Sequence, residues 1–84
     1  GFFNAVHPAG GLLPAAMKLA GELAAGPTLA HALTKKMLHL EWNMGVNEAI
    51  DAEARAQAGL MKSNDFRRAF EAFAAKRKPV FEGD

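Results

Sequence analysis

The amino-acid sequence predicts an all-α chain, with a short extended segment at the amino terminus followed by about four helices. Three observations support this prediction. Apolar residues recur at helical spacing in four separate stretches of the 84 residues. Proline, glycine or a capping residue marks the ends of these stretches. Half of the residues are hydrophobic and 23% are charged, which is typical of a folded protein and not of a disordered one.

The amino-terminal segment from Phe2 to Val6 is predicted to be a short strand or an extended segment, because it has two adjacent phenylalanines and a β-branched valine. His7-Pro8 ends it, since the residue before a proline avoids the α region. Ala9-Gly10-Gly11 is predicted to form a turn. We therefore divide the chain into an extended segment, residues 1–11, and a helical domain, residues 12–84.

The first two helices are predicted on either side of Gly26-Pro27. The first runs from Leu12 to Ala25, with Pro14 in its first turn, and its wide apolar stripe predicts a well-buried helix. The second runs from Pro27 to about Met44. Its main stripe contains Leu29, Leu33, Met37, Leu40 and Met44, while Leu38 and Trp42 fall on the opposite face. A helix that is apolar on two sides is usually packed between two bodies, although Trp42 could also simply be half exposed.

The third helix is predicted from Val46 to Lys62, with Val46, Ile50, Leu60 and Met61 facing inward. Glu53 and Gln57 fall within the same stripe, and we expect them to be hydrogen-bonded and not catalytic, because unpaired burial is costly.

Ser63 or Asn64 is predicted to cap a fourth helix with the apolar stripe Phe66, Ala69, Phe70 and Phe73. Lys76, Arg77 and Lys78 lie at its end, where they could bind a phosphate or simply offset the helix dipole, and Pro79 stops it.

The residues themselves supply little catalytic chemistry. Cysteine is absent, which excludes disulfides and thiolate sites and favours an intracellular, cytoplasmic protein. His31 and His39 are two helical turns apart, too far for the usual i, i+4 metal pair, so we predict no metal site. Glu48, Asp51 and Glu53 are more typical of a solvated helix face than of a catalytic pair. A net charge of +1 and short apolar runs predict neither nucleic-acid nor membrane binding.

Four segments, taken in order, resemble the end of the enoyl-CoA hydratase/isomerase (crotonase) superfamily. Gly1–Val6 is similar to the family segment G-L-V-N-x-V. Leu23–Pro27, followed by Ala30 and Lys36, resembles the junction A-x-x-P-x-x-A-x-x-x-x-K. Glu53–Gln57 resembles the helix motif E-x-x-x-Q. Ser63–Phe66 and Ala72–Phe81 resemble the ending S-x-D-x-x-E-G-x-x-A-F-x-x-K-R-x-P-x-F, except that Arg68-Ala69 stands where the family often has Glu-Gly.

The resemblance implies the carboxy-terminal part of an acyl-CoA enzyme, roughly its last third. Family members hold their catalytic glutamates and oxyanion hole upstream, so we expect no catalytic residue in this chain and no activity from it alone. Residues 12–84 would cover the CoA site and build a trimer or hexamer together with the missing upstream catalytic domain. The acyl-CoA is the substrate, and no covalently bound cofactor is implied. Phe73 and Lys76 match the positions that contact the adenine end of coenzyme A from a neighbouring subunit.

A second interpretation is left open by the sequence, namely a non-enzymatic helical module that self-associates through its apolar faces. Phe2, Phe3, Leu38 and Trp42 lack an obvious cover within the chain, and such a patch is typical of an interface. Both interpretations therefore predict association. They differ in whether a catalytic domain is encoded before Gly1.

Overall fold

The computed structural model describes all 84 residues and shows four α-helices and no strand. The helices are α1 (Ala9–Ala24), α2 (Thr28–Leu40), α3 (Val46–Leu60) and α4 (Asn64–Ala74), and a 3-10 helix, Glu41–Asn43, extends α2. The segment Phe2–Val6 has no regular secondary structure. The predicted all-α class with four helices is therefore confirmed.

Helix α1 begins earlier than the sequence predicts. It starts at Ala9, and the backbone N–H of Gly11 donates to the carbonyl of Pro8 at 2.8 Å. The predicted turn over Ala9–Gly11 is therefore wrong. Pro8 is the N-cap, with extended backbone angles of φ −56° and ψ 152°, and the helix forms directly after it in spite of the two glycines. Pro14 consequently lies inside the helix and not in its first turn.

The burial predicted for α1 does not occur within this chain. No residue of α1 is buried, and Leu13 and Met17 are 69% and 64% exposed. The reason is that α1 does not pack extensively against any other helix of the chain. Its apolar stripes are left open.

Helices α2 and α3 form the one extensive helix pair. From α2 the half-buried side chains are Ala30, Leu33 and Met37. The predicted inward stripe is therefore confirmed at Leu33 and Met37, whereas Leu29 and Leu40 are 40% and 44% exposed. Leu38 and Trp42 are also exposed. From α3 the half-buried side chains are Ala49, Ala52, Ala56 and Leu60. The prediction that Val46, Ile50 and Met61 point inward is wrong, because small alanine side chains let the helices approach closely there.

Helix α4 begins as predicted. The Ser63 side-chain oxygen accepts a hydrogen bond from the Phe66 N–H at 3.1 Å, which satisfies one free donor of the first turn. The face that the chain covers holds Asp65 and Ala72, its two buried residues. The phenylalanine face beside it is open, with Phe70 66% exposed and Phe73 83% exposed.

The chain as a whole has too much surface for a globule of its size. Its accessible area is 7129 Å², whereas a compact protein of 9.0 kDa exposes about 4,900 Å². Its radius of gyration is 16.3 Å, against about 12 Å for a compact chain of this length. The helices are therefore arranged around little core of their own, and most large apolar side chains face outward.

Candidate functional site

Phe73 and Lys76 lie where α4 ends, but not on one helical flank. Helix α4 stops at Ala74, and Lys76 has a φ of 53°, in the left-handed region. The Lys76 N–H donates to the Phe73 carbonyl at 3.0 Å, and the Arg77 N–H donates to the Ala72 carbonyl at 2.9 Å. These two bonds define a Schellman motif, a helix ending that usually has glycine at the left-handed position. Phe73 and Lys76 are three positions apart in the sequence, but they do not share one flank of the helix, since Lys76 belongs to the turn that ends α4.

This helix end presents an aromatic ring together with three cations. Phe73 is 83% exposed, and Lys76, Arg77 and Lys78 are also exposed. None of the three cations takes part in an ion pair within the chain. An exposed ring beside free ammonium and guanidinium groups can stack on a planar heterocycle and pair with phosphate.

The chain after α4 returns to the beginning of the helix, where Asp65 binds it. The Asp65 carboxylate accepts hydrogen bonds from the backbone N–H groups of Glu82 at 2.9 Å and of Gly83 at 2.8 Å. The Asp65 N–H in turn donates to the carbonyl of Asp84 at 2.9 Å. A carboxylate that accepts two N–H bonds is stabilised in its charged form, so the pKa of Asp65 is lowered, chiefly by the bond from Glu82.

Arg68 bridges the same segment to the helix. Its Nη1 donates to Asp65 at 2.8 Å and to a carboxylate oxygen of Asp84, and its Nη2 donates to Glu82 at 2.7 Å. One guanidinium thus serves three carboxylates. The bond from Arg68 is the main reason that the pKa of Asp84 is lowered. We call Asp65, Arg68, Glu82, Gly83 and Asp84 the tail clasp.

The tail also packs against the corner between α1 and α2. Pro79 and Phe81 are half-buried there, beside Gly26. Gly83 has a φ of 80°, and a Cβ atom on it would lie 3.0 Å from the Thr28 side-chain oxygen. A residue with a side chain would therefore be strained at Gly83 and crowded against α2.

A second group of polar residues lines an open groove of about 260 Å³ between α2 and α3. Glu41, Glu53 and Gln57 share this groove with apolar side chains such as Leu33 and Leu60. One carboxyl oxygen of Glu41 is shielded from solvent and has no hydrogen-bond partner. Burial, and then the nearby Glu53 carboxylate, raise the pKa of Glu41.

The hydrogen bonds predicted for Glu53 and Gln57 do not form in this chain. Both residues are exposed at the rim of the groove, and neither side chain bonds to backbone or to the next helix. The alanines of α3 occupy the contact with α2, which leaves the longer polar side chains at its edge. The prediction was wrong because it placed the inward stripe on the wrong flank of α3.

The sequence analysis missed the tail clasp and Glu41. A signal for the clasp was present, since Arg68 stands where the resembling family often has Glu, and two acidic residues, Glu82 and Asp84, follow in the tail. Glu41 gave no comparable signal, because its burial depends on how α2 and α3 pack.

The chain has no group of three or more His, Asp or Glu side chains that could hold a metal ion. None of the helices has the length and apolar character needed to cross a bilayer.

Comparison with known proteins places the sequence and the fold of this chain in one family. The family model described as enoyl-CoA hydratase/isomerase matches residues 1–84. A protein of Rhodobacter capsulatus named a probable enoyl-CoA hydratase is 41% identical over 64 residues, which is 76% of this chain and 25% of that protein. An enoyl-CoA isomerase/hydratase of Mycosarcoma maydis is 30% identical over 83 residues, covering 99% of this chain and 30% of its own length.

Solved structures of this family have the same fold as the chain. A crystal structure named for an enoyl-CoA hydratase of Streptomyces coelicolor A3(2) superposes on the whole chain with a TM-score of 0.94 and 38% identity. One from Geobacillus kaustophilus does so with a TM-score of 0.92 and 30% identity. The helices are thus those of a crotonase-type carboxy-terminal region, and the chain belongs to the enoyl-CoA hydratase/isomerase family. It spans about a quarter to a third of the length of these relatives.

Proposed function

We propose that this chain is the carboxy-terminal segment of a longer CoA-ester hydratase or isomerase, in which it covers the acyl-CoA site and supplies contacts between subunits. The observation that carries the proposal is the apolar surface that the chain leaves open. Phe2, Leu13 and Trp42 are 91%, 69% and 85% exposed, and they lie in separate parts of the chain. Large exposed apolar surfaces mark interaction sites.

The amount of excess surface fits this role. The chain exposes about 2,200 Å² more than a compact protein of its mass. Each partner in a large obligate interface buries about 1,000–2,500 Å². An upstream catalytic domain packed on one side and neighbouring subunits of a trimer or hexamer on the other would account for it. In this arrangement residues 1–11 join the catalytic domain, and residues 12–84 form the covering domain.

Coenzyme A binding is assigned to the end of α4. Phe73 offers an open ring for the adenine, and Lys76 offers a free ammonium for a phosphate. The left-handed conformation of Lys76 supports the assignment, because a non-glycine residue in that region costs about 1–2 kcal/mol. Backbone strain of this kind often occurs at ligand-binding sites. The acyl-CoA is the substrate of the longer enzyme, which carries no covalently bound cofactor.

The chain alone should have no activity, because general acid–base chemistry and an oxyanion hole are expected upstream. The test compares the purified 84-residue chain with the full-length protein that carries it, using a short enoyl-CoA as substrate. Turnover by the full-length protein only is the expected result. Turnover by the isolated chain that survives repurification would contradict the proposal.

The coenzyme A assignment has its own test in the full-length protein. Lys76→Ala should raise KM for the CoA ester several-fold while kcat stays nearly constant, because the contact is far from the reacting carbons and binds ground and transition states alike. A large fall in kcat at unchanged KM would refute this placement of the helix end.

The alternative, a self-association module without catalysis, rests on the same open apolar faces. It predicts that the gene encodes no catalytic domain before Gly1 and that the chain binds no CoA ester. Sequencing the gene upstream of Gly1 separates the two functions.

A further inference from the structure

The tail that carries Lys76 is fixed at both of its ends. At one end the Schellman motif sets the backbone of Lys76 and Arg77. At the other end the tail clasp binds Glu82 and Gly83 to the first turn of α4. The cations therefore lie in a closed loop of backbone and not on a free terminus.

We propose that Arg68 is a positioning residue for coenzyme A binding: by anchoring the returning tail it holds the loop of Lys76 in the arrangement that meets the ligand. This inference rests on the proposed function of Lys76. Arg68 itself does not touch the ligand in this arrangement, because its guanidinium is already hydrogen-bonded to three carboxylates.

Arg68 suits this role because it is the one cation among three carboxylates. Asp65, Glu82 and Asp84 all lie within its hydrogen-bonding reach. Without the guanidinium, like charges would face one another across the junction between helix and tail, and the tail would tend to separate. The neighbouring Arg67 does not share this role, since its side chain bonds only to Asn64, on the same helix.

An anchored tail improves binding by lowering its entropic cost. A free tail must be ordered when the ligand binds, and each ordered residue opposes binding. An anchored tail has been ordered during folding. Loss of the anchor should therefore weaken ligand binding without changing the reacting groups.

The experiment uses four variants of the full-length protein with a short enoyl-CoA: Arg68→Gln, Lys76→Ala, the double variant, and Arg67→Gln as the matched control. Arg68→Gln should raise KM several-fold at nearly constant kcat, and Arg67→Gln should leave both unchanged. In the Lys76→Ala background, Arg68→Gln should change KM by less than about twofold, because the two residues act through one contact.

Hydrogen exchange at the backbone amides of Glu82 and Gly83 reports whether the clasp has opened. Both amides donate to Asp65 and should exchange faster in Arg68→Gln. If Arg68→Gln impairs folding, the double variant Glu82→Gln/Asp84→Asn can replace it. This variant removes the two ion pairs between Arg68 and the tail and should give the same rise in KM.

The outcomes separate this inference from the proposed function. If Lys76→Ala raises KM but an opened clasp does not, the positioning role is refuted and the coenzyme A assignment stands. If Lys76→Ala leaves KM unchanged, both fail. Unchanged exchange in Arg68→Gln, or additive effects of Arg68→Gln and Lys76→Ala on KM, would also refute the positioning role.

Discussion

Replacing Lys76 with glycine should make the helix end more stable and the enzyme worse at binding its substrate. Lys76 adopts a φ of 53°, a region that costs a non-glycine residue about 1–2 kcal/mol and glycine almost nothing. Part of this gain in stability is offset, because glycine loses more conformational freedom on folding than lysine does. We therefore expect a net gain of about 1 kcal/mol.

The gain should be measurable locally and globally in the full-length protein. The amides of Lys76 and Arg77 close the helix by bonding to Phe73 and Ala72, and 1 kcal/mol would slow their hydrogen exchange by about fivefold. For a protein of 150–250 residues or somewhat more, the same energy raises Tm by about 2–4 °C.

Substrate binding should change in the opposite direction. Lys76→Gly removes the ammonium, so KM for the CoA ester should rise as it does in Lys76→Ala. Lys76→Ala is the control, because it removes the same charge but keeps a Cβ atom in the left-handed region. It should therefore raise KM without a gain in Tm. A loss of stability in Lys76→Gly would refute the reasoning, since it would mean that Lys76 does not adopt the left-handed conformation in the assembled protein.

Three further predictions concern other parts of the chain. Glu41→Gln should raise Tm at pH 7, because folding raises the pKa of Glu41 and the charged carboxylate therefore destabilises the native state. Stability of the unmutated protein should fall as pH rises above the ordinary pKa of Glu, and thermal melts from pH 4 to 8 should show less of this fall in the variant. An equal fall of Tm with pH in both proteins would contradict the prediction. Gly83→Ala should destabilise the tail by about 1 kcal/mol or more, because Gly83 has a φ of 80° and the new Cβ atom would lie 3.0 Å from the Thr28 side-chain oxygen. Faster hydrogen exchange of the backbone amide at position 83 would show the effect. Unchanged exchange would contradict this position of the tail. Trp42→Ser should weaken self-association of the chain more than it lowers helicity, because Trp42 is 85% exposed. Sedimentation and circular dichroism would show both effects, and a stable monomer before mutation would contradict the prediction.

The parts of the fold that follow local rules could be predicted from the sequence. The starts of α3 and α4 agree with Gly45 and Ser63, because capping and helix-breaking residues act on their own turn. The prediction that Pro79 stops α4 is wrong, since the helix already ends at Ala74. The start of α1 was missed because Gly10-Gly11 favoured a turn, whereas the helix begins directly after Pro8.

The long-range features could not be predicted in this way. The side-chain hydrogen bonds between helix and tail in the tail clasp join residues 14 to 18 positions apart, and helical periodicity says nothing about such pairs. The left-handed Lys76 is also hidden, since the Schellman ending usually has glycine at that position. The inward side of α3 depends on which side chains let α2 approach, so the apolar pattern favoured Ile50 while the structure uses alanines.

The most direct test of the account is a crystal structure of the full-length protein with coenzyme A or a CoA ester bound. The account predicts that the Phe73 ring stacks on the adenine, that the Lys76 ammonium lies within about 4 Å of a phosphate oxygen, and that the apolar faces of α1 and Trp42 are covered by the catalytic domain or by a neighbouring subunit. An adenine bound elsewhere, with Phe73 and Lys76 still open to solvent, would contradict it.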